Sequence, residues 1–120
     1  MRKKNNNKWM PKIYKGGIFV AVKFKKAGSA LVVIIDGEID AESAPVMRRK
    51  IDVEYDVLGA RDMIFDMSKV SFMDSSGIGM ILGRYKRVKA VGGLIKIHGA
   101  SRNVGRIIEL SGLGKLVKRA

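Results

Sequence analysis

The sequence contains no cysteine, which excludes disulfides, thiol catalysis and thiolate metal sites. Histidine is nearly as scarce: His98 stands alone, and no triad is readable around it. The longest apolar run, Ala30 to Ile35, is far too short to cross a bilayer. The chain opens on basic residues, but no apolar segment of a secretory signal follows them. Aromatics are few, with four Phe and three Tyr, several of them at expected core positions. That is a poor stock for stacking on nucleic-acid bases. Acids are also in short supply, at 11 against 24 Lys and Arg, a formal net charge of +13.

What is present suits one soluble domain. The length is 120 residues, and 47% of them are apolar, enough for a single core. Charged residues make up 29%, the usual share for a soluble protein. A cytoplasmic protein without a membrane partner is expected. The charge is uneven. Residues 1–16 carry six cations and no acid, residues 36–74 carry ten of the eleven acids, and residues 75–120 carry ten cations and only Glu109. Such asymmetry raises a nucleic-acid reading, but charge alone concerns encounter and solubility more than fold. The bland account, a solvated surface with a flexible basic tail over residues 1–16, is preferred.

The rest of the chain, from residue 17 on, reads as alternating strands and helices. Ile18, Val20, Val22 and Phe24 alternate as in a half-buried strand. Ala27-Gly28-Ser29 is a turn, and Leu31 to Ile35 is a β-branched run suited to a covered strand. Ser43 is a candidate N-cap, Pro45 fits a first helical turn, and Met47, Ile51, Tyr55 and Leu58 form a helical stripe that Gly59 stops. Asp62 to Phe65 predicts a short strand. Ile78, Ile81, Leu82, Tyr85 and Val88 fall on one helix face. Arg84, Lys86, Arg87 and Lys89 fill its last turns, where cations suit the dipole, and Gly92-Gly93 ends it. Leu94 to Ile97 is another strand. Ser101 caps a helix carrying Val104, Ile107 and Ile108, which Gly112 terminates, and Leu116-Val117 reads as a last short strand. The alternation predicts an α/β fold, a small mixed sheet with helices packed against it.

The chain is organised around Val70-Ser71-Phe72-Met73-Asp74-Ser75-Ser76-Gly77-Ile78-Gly79, where a strand passes into a helix. Asp74 and Ser75 are the N-cap candidates, since a short oxygen side chain accepts from an orphan backbone N–H. Serine is a weak nucleophile without a base, so no catalytic residue is assigned. Gly77, Gly79 and Gly83 only loosely resemble a dinucleotide fingerprint, and no Walker lysine follows. The acids of Asp36-Gly37-Glu38-Ile39-Asp40 lack the further ligands of a metal site. No metal and no cofactor is expected.

The segments Asp66-Met67-Ser68-Lys69-Val70, Phe72 to Gly79 and Ile81-Leu82-Gly83-Arg84-Tyr85-Lys86 resemble the anti-sigma factor antagonists, whose domain is called STAS, and in particular its sporulation members. The resemblance runs from about Ile18 to Val117. It implies a single STAS-like domain with no enzymatic activity of its own, which binds an anti-sigma factor that is also a serine kinase and so frees a sigma factor. It further implies that the kinase inactivates the antagonist by phosphorylating Ser75 and that a metal-dependent serine phosphatase restores it. Gly37-Glu38-Ile39-Asp40 resembles a family segment whose aspartate contacts the kinase, a role carried to Asp40. Asp74, Ser75, Ser76 and Gly77 complete the expected partner-binding set, the last two leaving room for a kinase to close round Ser75. Two features depart from the family. A C-terminal helix found in relatives has no counterpart before Ala120, and the net positive charge is unlike that of the sporulation antagonists. Two other readings stand beside this one: a STAS subunit of a larger signalling assembly, and a basic nucleic-acid-binding domain.

Overall fold

A computed structural model of the chain describes residues 8–9, 13–15 and 18–119. Two long strands, β3 (Ile18–Ala27) and β4 (Ala30–Ile39), form an antiparallel hairpin. Its turn holds Gly28 at φ 60°, a left-handed conformation that glycine adopts without a Cβ penalty. The chain then alternates through α1 (Ser43–Leu58), β5 (Asp62–Met73), α2 (Ser75–Ala90), β6 (Ile95–His98) and α3 (Arg102–Leu110). A short 3₁₀ turn, Leu113–Lys115, leads to β7 (Lys118–Arg119). Within the stretch expected as a tail, β1 (Lys8–Trp9) and β2 (Ile13–Lys15) pair antiparallel with β3. The other residues of that stretch lie outside the described ones.

The heart of the sheet is β3-β4-β5-β6, with β4, β5 and β6 parallel, so the sheet is mixed as expected. The three crossovers step in the same direction across it. Right-handed connections therefore place all three helices on one face. Burial agrees. The row Phe24, Val33, Phe65, Ile97, registered across four strands, is sealed under the helices. The adjacent row Lys23, Ile34, Asp66, His98 lies on the opposite face, and each of its members is partly or fully exposed.

Met47, Ile51 and Tyr55 of α1 and Ile81 and Val88 of α2 are buried on that core, as the periodicity predicts. Three expectations are corrected. β5 does not stop at Phe65 but runs to Met73, because backbone pairing with Asp36 to Ile39 continues past the polar residues Ser68, Lys69 and Ser71. Two register shifts interrupt this pairing, and Gly37 takes φ 123° between them, so a twisted two-stranded ribbon is carried beyond the central sheet. Arg84 is not an exposed dipole cation: it is buried against α1. The last strand is Lys118–Arg119 rather than Leu116-Val117, since Leu113 and Val117 turn inward to fill the core.

Candidate functional site

The site lies where the β4–β5 ribbon delivers the chain to α2. Asp74 is the N-cap: its backbone is extended (φ −109°, ψ −168°), and its carboxylate accepts from Ser76 N at 2.8 Å. Its own N–H donates to Ile39 O at 3.2 Å, which ties the start of α2 to the end of β4. Of the two cap candidates, Asp74 takes the role and frees the next side chain. Ser75 is the first residue of α2 and is exposed; among the described residues its hydroxyl has no hydrogen-bond partner.

Asp40 follows Ile39 directly and is thereby brought beside this turn. Its Oδ1 accepts from Glu42 N at 3.1 Å, Ser43 N at 3.0 Å and the Ser43 hydroxyl at 3.2 Å. The carboxylate thus satisfies two backbone donors at the entry to α1, where Ser43 was expected to cap, while the residue before the helix, Glu42, makes no side-chain cap bond. Ser43 is instead buried, its hydroxyl accepting from Asp40 N at 3.0 Å. The half-buried Asp40 therefore organises its own loop while remaining at the surface.

Ser76 is half-buried and faces α1. It lines a depression of about 240 Å³ together with Ala44, Pro45, Arg48, Gly79 and Met80. Gly77 does not open space at the surface. It is buried, and a Cβ there would lie 2.7 Å from Met73 Sδ and 3.1 Å from Ile39 Cγ2. Its lack of a side chain lets α2 sit directly on the ribbon.

Sequence reasoning missed two residues near this turn. Phe72 is 46% exposed although it sits inside an apolar motif; the signal was the break of strict alternation around Val70 and Met73, which both turn inward. Arg48 lines the depression, and only the α1–α2 contact reveals it.

His98 is remote from this chemistry. It registers opposite Asp66 on the helix-free face of the sheet. Burial pushes the Asp66 carboxyl up, but hydrogen bonds from Ser68, with His98 and Lys25 nearby, outweigh it and hold that group below its usual range. Among the described residues no group of three His, Cys, Asp or Glu is placed to hold a metal ion, and no helix is long and apolar enough to cross a membrane.

Known proteins resemble this chain in sequence and fold. An anti-sigma-B factor antagonist of Bacillus subtilis is 37% identical over 98 residues, which cover 82% of this chain and 88% of the relative. The anti-sigma factor antagonist SpoIIAA in its unphosphorylated form superposes with a TM-score of 0.73 at 29% identity, covering 82% of this chain and 87% of that one. The phosphorylated form of the Bacillus cell fate determinant SpoIIAA gives 0.66 at 28% identity, covering 82% and 90%. The STAS domain family matches residues 21–119, which span most of the hairpin, α1, α2, α3 and the serine turn. This chain belongs to the STAS domain family.

Proposed function

We propose that the chain is an anti-sigma factor antagonist acting as a phosphorylation-switched binding module. In its unmodified form it binds an anti-sigma factor that is also a serine kinase, and a sigma factor is thereby released. The single observation that carries this reading is the hydroxyl of Ser75, exposed at the first position of α2 with its capping duty taken over by Asp74. The names of the relatives support the partner class, and the existence of a phosphorylated SpoIIAA supports the modification. Asp74 precedes Ser75 directly, Asp40 begins the loop that the bond from Asp74 N to Ile39 O ties to the same turn, and Ser76 adds the rim of the depression toward α1.

The chain supplies a substrate hydroxyl and no catalytic machinery. In this reading the kinase provides the base, the metal and ATP. Ser75 Oγ attacks the γ-phosphorus, ADP leaves, and the hydroxyl proton passes to the kinase's base. A phosphatase of the metal-dependent type later hydrolyses the ester and restores the hydroxyl. Phosphate adds about −1.5 to −2 charges. The start of α2 offers roughly +0.5, and Asp74 opposes it with a full negative charge. The two local effects oppose each other and neither calls for a refolding, so the switch acts at the interface, where a desolvated dianion meets a surface shaped for a neutral hydroxyl. A poorly paired charge of this kind costs about 3 kcal/mol, roughly a hundredfold in affinity.

The deciding experiment incubates the protein with its cognate anti-sigma kinase and ATP and maps the product by mass spectrometry. One phosphate on Ser75 is expected, with Ser75→Ala unmodified but still bound. A Ser75→Asp variant that binds as tightly as the unmodified protein overturns the switch.

A further inference from the structure

We infer that Phe72 is the apolar anchor by which this module grips its protein partner, inserting into a hydrophobic pocket beside the partner's active-site cleft. The inference rests on the antagonist reading and adds to it a residue and the chemistry of the surface that receives it.

Phe72 sits on the β4–β5 ribbon, registered opposite Glu38. Val70 and Met73 turn into the core at 3% and 1% exposure, and Phe72 is left 46% exposed. Phe24 and Phe65 show the alternative fate of this side chain, at 1% and 0%. An aromatic ring in water contributes little to folding, whereas its transfer into an apolar pocket is strongly favourable.

Position makes the exposure specific. Ser75 lies three positions after Phe72, so their Cα atoms are no more than about 11 Å apart however the chain bends. A standard protein interface covers about 800 Å² on each partner, a disc of roughly 16 Å radius. An interface centred on Ser75 therefore reaches Phe72 as well, and a buried aromatic there is the kind of residue that dominates binding energy. Another exposed apolar side chain is placed differently. Val91 is 58% exposed at the far end of α2, about 24 Å along the helix from Ser75. A kinase engaged at Ser75 has no need to reach it.

The test uses the full chain and its cognate anti-sigma kinase. Affinity is measured by calorimetry, and KM and kcat for phosphorylation of Ser75 are measured separately. Phe72→Ala is expected to weaken binding at least tenfold and to raise KM by a similar factor, with kcat changed less than threefold. Val91→Ala is expected to leave all three within twofold. Both positions are exposed, so both variants are expected to melt within a few degrees of the parent, and a Phe72→Leu variant recovers part of the affinity. Binding by Phe72→Ala within twofold of the parent overturns the inference and leaves the antagonist reading standing. An equal loss in Val91→Ala also overturns it, because the effect is then not local to Ser75. A parent protein that neither binds the kinase nor accepts phosphate overturns the antagonist reading and this inference with it.

Discussion

Arg84 Nε lies 2.8 Å from Asp52 Oδ1, joining α2 to α1 through an arginine side chain that is only 7% exposed. Neither atom has an aligned hydrogen bond, so the attraction is ionic rather than directional. The guanidinium also donates to Met80 O at 3.3 Å, and Arg87 extends the cluster to Asp52 at 3.1 Å and Asp56 at 2.8 Å. Burial pushes the Arg84 guanidinium below its usual range, and Asp52 works against that shift.

Removing Asp52 leaves a buried cation with no counter-ion beside it. Asp52→Ala is expected to cost about 2–3 kcal/mol, somewhat under the full penalty for breaking a buried pair, because the aspartate is partly solvated. Replacing both partners with apolar side chains, Asp52→Leu with Arg84→Met, is expected to cost less than the single change. Urea unfolding of the three proteins checks the order.

The glycines of the central motif predict opposite signs at neighbouring positions. Gly77→Ala forces a Cβ onto Met73 and Ile39 and is expected to destabilise by about 1–3 kcal/mol, the usual cost of overpacking. Gly79 has open space where a Cβ would go, and its backbone is helical. Gly79→Ala is expected to stabilise by about 0.5–1 kcal/mol through helix propensity. Thermal melts of both variants read the signs directly.

These contrasts show what the sequence could and could not disclose. Strand alternation at Val20, Val22 and Phe24 and the helix stripes through Ile51 and Ile81 were legible, because one buried face imposes a period on the chain. The strand-to-helix turn at Asp74 and Ser75 was legible as the place where the period changes, but the pattern offered Ser75 only as a cap, a role Asp74 takes, and its reading as a modified residue came from the family resemblance. Arg84 was not: one more cation beside Lys86, Arg87 and Lys89 reads as solvent-facing until α1 supplies Asp52 from 32 residues upstream. The continuation of β5 through Ser68 and Ser71 was hidden too. Its backbone pairs with β4 while its side chains lack a strand's alternation. Ser43 read as the cap of α1, and only the hydrogen bonds show that the Asp40 carboxylate takes up the backbone donors there.

Asp62 ties the start of β5 to two loops. Ser29 Oγ donates to it at 2.6 Å and Leu94 N at 2.9 Å, with Arg61 Nε at 3.3 Å. These donors, Ser29 first, hold its carboxyl down to about 2. A depressed folded-state value means that the stabilisation is complete above the ordinary carboxylate range and is lost as pH falls from about 4 through 2, on the order of 1–2 kcal/mol. Asp62→Asn is expected to flatten that part of the acid-unfolding profile. Asp66, also lowered, retains a smaller slope of the same sign.

Asp40 carries a structural and a proposed recognition role on one carboxylate, and two substitutions separate them. Asp40→Ala removes the acceptor for Glu42 N and Ser43 N. It is expected to cost about 1 kcal/mol as a lost helix cap, so any loss of partner binding would be ambiguous. Asp40→Asn keeps an oxygen where the backbone donors need one, since asparagine caps about as well as aspartate, and removes only the charge. Its melting temperature is expected to stay close to that of the parent. If Asp40 meets a cation on the anti-sigma factor, Asp40→Asn binds at least tenfold more weakly and loses much of the salt dependence of association. Equal affinity for Asp40→Asn and the parent would reduce Asp40 to the organiser of the α1 turn and leave recognition to the surface around Ser75.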